Sequence, residues 1–326
     1  MELHILSHRL HLMSILKENI DLFTHHLIKL ALLQANKSCK FFSFTETTMG
    51  YTLIVDEDGI KELPQKEELQ KQGSRWVVLS ASSGPSEISG LTEITKSVII
   101  PLANNNLSIM SLSTYQTDYI LVKEENLHHV VRCLCPHFKV FHDVNGEMVP
   151  YKVDTLIEDQ ADPPIIERLP DGVCRSIVHP LASPQNRFLI TSLQIDLLPQ
   201  VISTLLQIMF YSNSFLPNPQ DGHERFFSIS IIEDKISLVL DTDALALFPS
   251  GILGTGTEEE CWKMVKIGAG PLGFEESGIV AQISEPLAEA DIHMYYISTF
   301  LHDHTLIPEV DIDRALSLLQ NRQCIQ

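Results

Sequence analysis

The sequence predicts an α+β protein made of four small units, arranged as an internal duplication. Two observations carry this. A shift of 185 residues lays the second half of the chain on the first. Lys40-Phe41-Phe42-Ser43 falls on Arg225-Phe226-Phe227-Ser228, Asp56 on Asp241 and Pro64 on Pro249. The same register carries Pro101-Leu102-Ala103 onto Pro286-Leu287-Ala288, Ser113-Thr114 onto Ser298-Thr299 and Asp118 onto Asp303. Within each half, strand-like and helix-like runs alternate in a fixed order.

Leu10-His11-Leu12-Met13 reads as a short strand, and Ile20 to Leu33 carries apolar residues at helical spacing. Lys40 to Thr45 and Tyr51 to Val55 are β-rich runs separated by polar residues, the mark of a hairpin. Glu57 to Gln72 is polar and can form the next helix. Arg75 to Leu79 is a strand. Leu91 to Ala103 is an amphipathic helix, with Ile94, Val98 and Leu102 on one face. Leu107–Leu112 and Tyr119–Val122 are strands joined by a polar turn. Asn126 to Cys133 can be a closing helix and Phe138 to Phe141 a last strand.

From Arg75 onward the order is β-α-β-β-α-β; before it runs β-α-β-β-α, with no last strand evident. This is the ferredoxin-like arrangement, a four-stranded antiparallel sheet with two helices on one face. Ile94, Val98 and Leu102 land on Ile279, Ile283 and Leu287, so the apolar helix face recurs in the second half. The expected units are residues 1–68, 69–145, 183–256 and 257–326, with a proline-rich, acidic linker over 146–182. Open sheets leave edges that pair with one another, within the chain or between chains. The seam between two related units is where a small ligand most naturally binds.

The 326 residues are 44% hydrophobic and 20% charged, the balance of an ordinary globular protein. A formal charge of -19 argues against nucleic acid and anionic membrane surfaces, which need basic footprints. No uninterrupted apolar run of membrane-spanning length occurs, and Met1 to Leu6 lacks the basic region of a signal peptide. Six scattered cysteines form no zinc spacing and read as reduced thiols of a cytosolic protein.

Gly268-Ala269-Gly270-Pro271-Leu272-Gly273 matches G-x-G-x-x-G between a strand-like run and a helix. Pro271 removes an amide from the turn, Glu275 and Glu276 would repel a pyrophosphate, and the next strand ends in Ser298-Thr299 rather than an acid. A loop that lets backbone approach a small ligand fits better, with the helix N-terminus offering amides to a carboxylate. The first-half counterpart, Ser80-Ala81-Ser82-Ser83-Gly84-Pro85, lacks these glycines, so the copies have diverged here. His302-Asp303-His304 could suggest a metal, yet no third ligand has suitable spacing, and a polar turn is the plainer reading. Asp303 could pair with a guanidinium in bidentate fashion. No nucleophile elbow, cysteine pairing or acid–base carboxylate pair stands out.

Several collinear runs resemble the CASTOR family, the cytosolic arginine sensors of the mTOR complex 1 pathway. They are Met1–Leu6, Cys39–Ser43, Leu112–Asp118, Ser183–Phe188, Pro271–Phe274, Ser277–Ile283 and Tyr295–Phe300, spread from end to end. The resemblance implies that the four ferredoxin-like units are ACT domains. It implies arginine binding between the second and fourth, and homodimers through the first and third, with heterodimers with a paralogue also open. It also implies inhibition of GATOR complex 2 that arginine relieves.

Carried over by position, the arginine pocket would use Ser108, Ile109, Gly273, Glu276, Ile279, Val280, Thr299, Phe300 and Asp303. Asp303 would take the guanidinium, Glu276 the α-ammonium, and Ser108 with backbone amides the carboxylate. The aliphatic stem would lie along Ile279, Val280 and Phe300. Tyr115, Gln116 and Asp118, with Glu260 and Asp291, would face GATOR complex 2; Leu206 and Tyr211 would make the dimer contact. No cofactor, metal, nucleic acid or membrane is expected. The turn Gly268-Ala269-Gly270 departs from the family's Gly-Gly-Gln. The rival reading is a constitutive ACT adaptor of the same partner with little arginine response. An enzyme or an enzyme's regulatory subunit is the third.

Overall fold

The computed structural model describes residues 2–33, 38–84, 87–88, 91–144, 147–151, 179–216, 222–254, 260–268, 272 and 276–325. The first half contributes strands β1 (Glu2–Ile15), β2 (Phe41–Thr47), β3 (Gly50–Asp56), β4 (Leu69–Lys71), β5 (Trp76–Gly84), β6 (Glu87–Ile88), β7 (Ile109–Ser113), β8 (Asp118–Lys123), β9 (Lys139–Val144) and β10 (Glu147–Pro150). The second contributes β11 (Leu181–Ala182), β12 (Phe188–Gln194), β13 (Phe227–Ile232), β14 (Lys235–Asp241), β15 (Trp262–Ile267), β16 (Tyr295–Ser298) and β17 (Asp303–Pro308). The helices are α1 (Thr24–Ala31), α2 (Glu57–Lys61), α3 (Leu91–Ile94), α4 (Ile100–Asn104), α5 (Leu127–Leu134), α6 (Leu198–Phe215), α7 (Thr242–Leu245), α8 (Ile279–Glu289) and α9 (Ile312–Ile325).

Two long sheets stack with helices on their outer faces. One runs β4–β1–β3–β2–β13–β14–β12, all antiparallel. The other runs β10–β9–β1–β5–β8–β7–β16–β17–β15–β11, antiparallel except for β1 beside β9. In the join of β2 to β13, Phe44 faces Ile229; in the join of β7 to β16, Leu112 faces Ile297. Both facing pairs lie 185 residues apart in sequence. Leu10, Leu12, Trp76, Val78, Met110, Ile190, Tyr295 and Leu306 share the core between the sheets. Their strand neighbours point outward, Val77 and Leu79 toward α3, α5 and α8, and Met13 and Ile15 toward α1 and α6. Full burial of such a side chain contributes roughly 1.5–3 kcal/mol. A strand covered on both faces reads as a continuous apolar run, which is why Trp76-Val77-Val78-Leu79 shows no alternation.

The hairpin β2–β3, the helix over 91–104 and the strands β7 and β8 lie where the periodicity puts them. Three expectations need correction. The strand expected over Leu10–Met13 is 14 residues long, because β1 serves both sheets. Its later half, Leu10–Ile15, pairs with β3, while Glu2–Ile5 inserts between β5 and β9. The helix expected over Glu57–Gln72 stops at Lys61; Asp56 caps it by accepting from Gly59 N, and Pro64 follows. Beyond it, β4 pairs with β1, a strand that the sequence pattern does not announce. The helix over Ile20–Leu33 is split into a 3-10 turn, Lys17–Leu22, and α1.

Between α3 and α4 the helix widens into a π turn, Thr95–Ile99, where Ile100 N donates to Thr95 O. Pro101 cannot donate, and a π turn placed just before it absorbs the lost bond. The segment Ile195–Phe215, containing α6, is long and apolar enough to cross a membrane by length and composition. Here Val201, Leu205, Ile208 and Met209 bury its apolar face on the first sheet.

Candidate functional site

Asp303 opens β17 and sits beside Ser298, its partner in the β16 register. It is 7% exposed, and the hydroxyl of Tyr296 donates to its Oδ2 at 2.9 Å. Burial pushes the Asp303 carboxyl up to about 6, against hydrogen bonds from Tyr296 and Ser298 and the nearby His179 imidazole, which pull it down. Burial and the same carboxylate drive the Tyr296 phenol well above its ordinary range. A buried acid with so little compensating charge favours a cation beside it. The turn between the strands is tied by Thr299: its N donates to His302 O at 2.9 Å, and its Oγ1 accepts from His302 N at 3.2 Å. This local side-chain bonding fixes a tight turn without glycine.

Across the cleft, Glu276 precedes α8, whose N-cap is Gly278 at φ 87°, with no side-chain cap bond. The left-handed φ suits glycine, and the first amides of α8 have no capping side chain to satisfy them. Glu276 Oε1 lies 2.8 Å from His179 Nε2, so a residue preceding β11 reaches the site. Trp76, Ile109, Met110, Leu272, Glu276, Ile279, Ser298, Thr299 and Asp303 line the cleft. Its free volume is about 30 Å³, the share of a single water molecule.

Five of the expected pocket residues therefore converge: Ile109, Glu276, Ile279, Thr299 and Asp303. Ser108 is half-buried and precedes Ile109 at the start of β7. Val280 is 2% exposed and packs in the helix-side core rather than on the cleft wall. Phe300 packs against the core between the sheets rather than lining the cleft, and its backbone N donates to Thr52 Oγ1 at 2.9 Å. Gly273, with Ala269, Gly270 and Pro271 of the glycine-rich turn, lies outside the described residues. Sequence reasoning missed Trp76, Met110, Leu272, Ser298 and His179. The first two lie on strands without alternation, and His179 lay in the segment read as linker.

The other expected contacts lie on separate elements. Tyr115, 42% exposed, and Gln116 form the tip of the β7–β8 hairpin. Asp118 is half-buried and turned inward: burial raises its carboxyl to about 6, while Ser113 and the Leu91 amide hydrogen-bond to it. Glu260 precedes β15, and Asp291 follows α8 at the end away from the cleft; both are exposed. Leu206 is half-buried on α6, and Tyr211 is 51% exposed where that helix kinks, with φ -127° and ψ 26°. The rings of His302 and His304 lie 6.4 Å apart, and burial pushes His304 down to about 3. No cluster of three or more metal-ligating side chains occurs among the described residues.

Residues 9–69 match the family described as the N-terminal domain of cytosolic arginine sensor for mTORC1 subunit 1. Residues 179–257 match the ACT-like region of cytosolic arginine sensor for mTORC1 subunit 1/2. Residues 72–136 and 257–321 each match the ACT domain, so ACT domains stand in tandem along the chain. A Mus musculus protein named cytosolic arginine sensor for mTORC1 subunit 1 is 46% identical over 330 residues, 99% of this chain and 98% of that protein. Its Homo sapiens namesake is 45% identical over 331 residues, with the same coverage. With the whole length of the chain matched in this way, the protein belongs to the family of cytosolic arginine sensors for mTORC1.

Proposed function

We propose that this chain is a cytosolic, non-catalytic arginine sensor in mTORC1 signalling, with the cleft at Asp303 as its arginine site. The observation that carries the reading is the buried Asp303 carboxyl, held by Tyr296 and facing Glu276 across a partly apolar cleft. Asp303 takes the guanidinium, and Glu276 takes the α-ammonium once His179 gives way. Ser108 and the uncapped amides of α8 take the carboxylate. The aliphatic stem lies on Ile109 and Ile279, with Val280, Phe300 and Gly273 completing the set carried over from the family. Arginine is much larger than one water molecule, so its entry must part the cleft walls. Those walls belong to different ACT domains, so binding resets how β7 and α8 meet.

The partner reading follows. With arginine absent the chain holds GATOR complex 2 through Tyr115, Gln116 and Asp118, with Glu260 and Asp291; arginine favours the arrangement that releases it. The scaffold is read as four ACT domains from an internal duplication. In support, both edge-to-edge joins place a residue opposite its own counterpart 185 positions away, Phe44 with Ile229 and Leu112 with Ile297. Leu206 and Tyr211 on α6 are read as the homodimer contact.

Calorimetry with L-arginine, L-lysine and L-citrulline on the purified chain tests the reading. Heat with arginine alone, lost in Asp303→Ala, is expected; equal responses from the two proteins would sink it. The narrowness of the cleft favours a second reading, a constitutive adaptor that holds the same partner and answers weakly to arginine. That reading predicts partner capture unchanged by millimolar arginine.

A further inference from the structure

The second and fourth ACT domains meet about an approximate two-fold relation, and the hydrogen bonds across and around their interface obey it. Ser111 N donates to Ser298 Oγ at 3.1 Å, and Tyr296 N donates to Ser113 Oγ at 3.0 Å. Thr114 N donates to Thr117 O, and Thr299 N donates to His302 O, each at 2.9 Å. Tyr115 N donates to Ser237 Oγ at 2.8 Å, and Phe300 N donates to Thr52 Oγ1 at 2.9 Å. In every case the second bond is the first advanced by 185 positions, or its reciprocal. The position that answers to the cleft on the other side of such an axis is Asp118, the counterpart of Asp303.

We propose that Asp118 marks a second binding position for a cationic amino acid, the same class as at Asp303, and that Tyr295 and Leu91 keep it shut. The inference rests on the arginine reading of the Asp303 cleft and concerns its mirror position. Met110 lines the open cleft, and its counterpart is Tyr295, 8% exposed, whose hydroxyl reaches 3.4 Å from Ser237 Oγ. Burial pushes the Tyr295 phenol well above its usual range, against its hydrogen bond with Ser237, and the Asp118 carboxylate adds to the rise. Glu276 lines the open cleft, and its counterpart is Leu91, whose amide hydrogen-bonds to Asp118 and whose side chain is 3% exposed in the core. The shut position thus lacks the carboxylate that would take an ammonium. A buried phenol stands at the position that Met110 holds in the open cleft, and the remaining acid is engaged by the Leu91 amide. An acid stands at both positions; only the Asp303 side has a cleft and a facing carboxylate.

The test restores the open-side residues. Tyr295→Met with Leu91→Glu is made in the full chain, both in the natural background and with Asp303→Asn, and titrated with L-arginine by calorimetry. The expected result is one arginine per chain in the natural protein and two in the double variant. One is expected again in the double variant with Asp303→Asn, lost on adding Asp118→Asn. A folded double variant with Asp303→Asn that binds no arginine overturns the proposal. If the natural chain binds none but that variant binds one, the proposal stands and the arginine reading of the Asp303 cleft fails. Should the double variant not fold, Tyr295→Ala alone leaves a cavity beside Asp118. Methylguanidinium should then raise the Tm of that variant and not of the natural protein; no rise overturns the proposal.

Discussion

The backbone N–H of Phe300 donates to Oγ1 of Thr52 at 2.9 Å, tying the turn after β16 to the opposite sheet. Thr299 and Asp303, which line the cleft, flank this turn, so the cleft is braced by a residue of β3. Thr52→Val keeps the shape and removes the acceptor. Losing a hydrogen bond of this kind costs about 0.5–1.5 kcal/mol, and relaxation of the turn would move Thr299. Arginine affinity measured by calorimetry should fall roughly tenfold, equivalent to ~1.4 kcal/mol. Ser237→Ala removes the matching bond to Tyr115 and should leave arginine affinity within about twofold. Equal losses would mean that Thr52 acts only through general stability.

Asp303 and Asp118 both carry carboxyls raised from 3.8 to about 6, chiefly by burial. The folded state keeps protons that the unfolded chain has already lost. The contribution of these two carboxyls to stability without arginine should therefore fall as pH rises from about 4 to about 6, and stay at the lower level above that. Buried His304, pushed down to about 3, contributes with the opposite sign over the same window, so the Asp303 share is read as the difference between the natural protein and Asp303→Asn. Asp303→Asn supplies a neutral isostere. At pH 7 it should melt about 2–6 °C higher than the natural protein in the absence of arginine, while losing the arginine response. A Tm lower than the natural protein's at pH 7 would contradict the assignment of a strained, charged Asp303.

The same titration acts on binding with the opposite sign. A guanidinium recognises the carboxylate and not the carboxylic acid. Below pH 6 the ligand must displace a proton from Asp303, and affinity should drop toward tenfold per pH unit. Titrations between pH 5 and pH 8 in two buffers of different ionisation enthalpy should show proton release near pH 6. Flat affinity across that range would place the guanidinium elsewhere.

Glu276 and Asp303 are read as gripping different ends of arginine, and a cycle separates them. Nα-acetylarginine keeps the guanidinium and loses the ammonium charge. It should bind the natural protein at least tenfold more weakly than arginine, and Glu276→Gln should shrink that gap to about twofold. Asp303→Asn should weaken both ligands alike. The opposite pattern would reverse the ligand in the cleft.

Asp303 was legible because the chain can be compared with itself: Asp118 lies at the matching position, and the glycine-rich turn has no first-half match. The hairpins and the helix over 91–104 were legible because one period covers each. β1 was not, since one strand shared between two sheets changes its buried face along its length. β4 was not, since three residues with Leu69 as their single apolar member carry no period. Trp76 and Met110 were invisible as lining residues for a different reason: double burial erases the alternation that would name the inward face. His179 reaches Glu276 from a stretch whose prolines and acids read only as linker.

On α6, within the ACT-like region, Tyr211 and Phe215 are 51% and 50% exposed one turn apart, and Leu206 is half-buried on the same helix. An exposed aromatic contributes little to the fold of its own chain, so Tyr211→Ala should leave the urea midpoint of a dilute sample within about 0.5 kcal/mol. If α6 forms the dimer contact, the same substitution removes a central aromatic anchor. The dimer measured by analytical ultracentrifugation should then weaken by about 2 kcal/mol, a rise in Kd close to 30-fold. Tyr211→Phe should restore the dimer if packing, rather than the hydroxyl, carries the contact. An unchanged Kd in Tyr211→Ala, with the fold intact, would move the dimer interface off this helix.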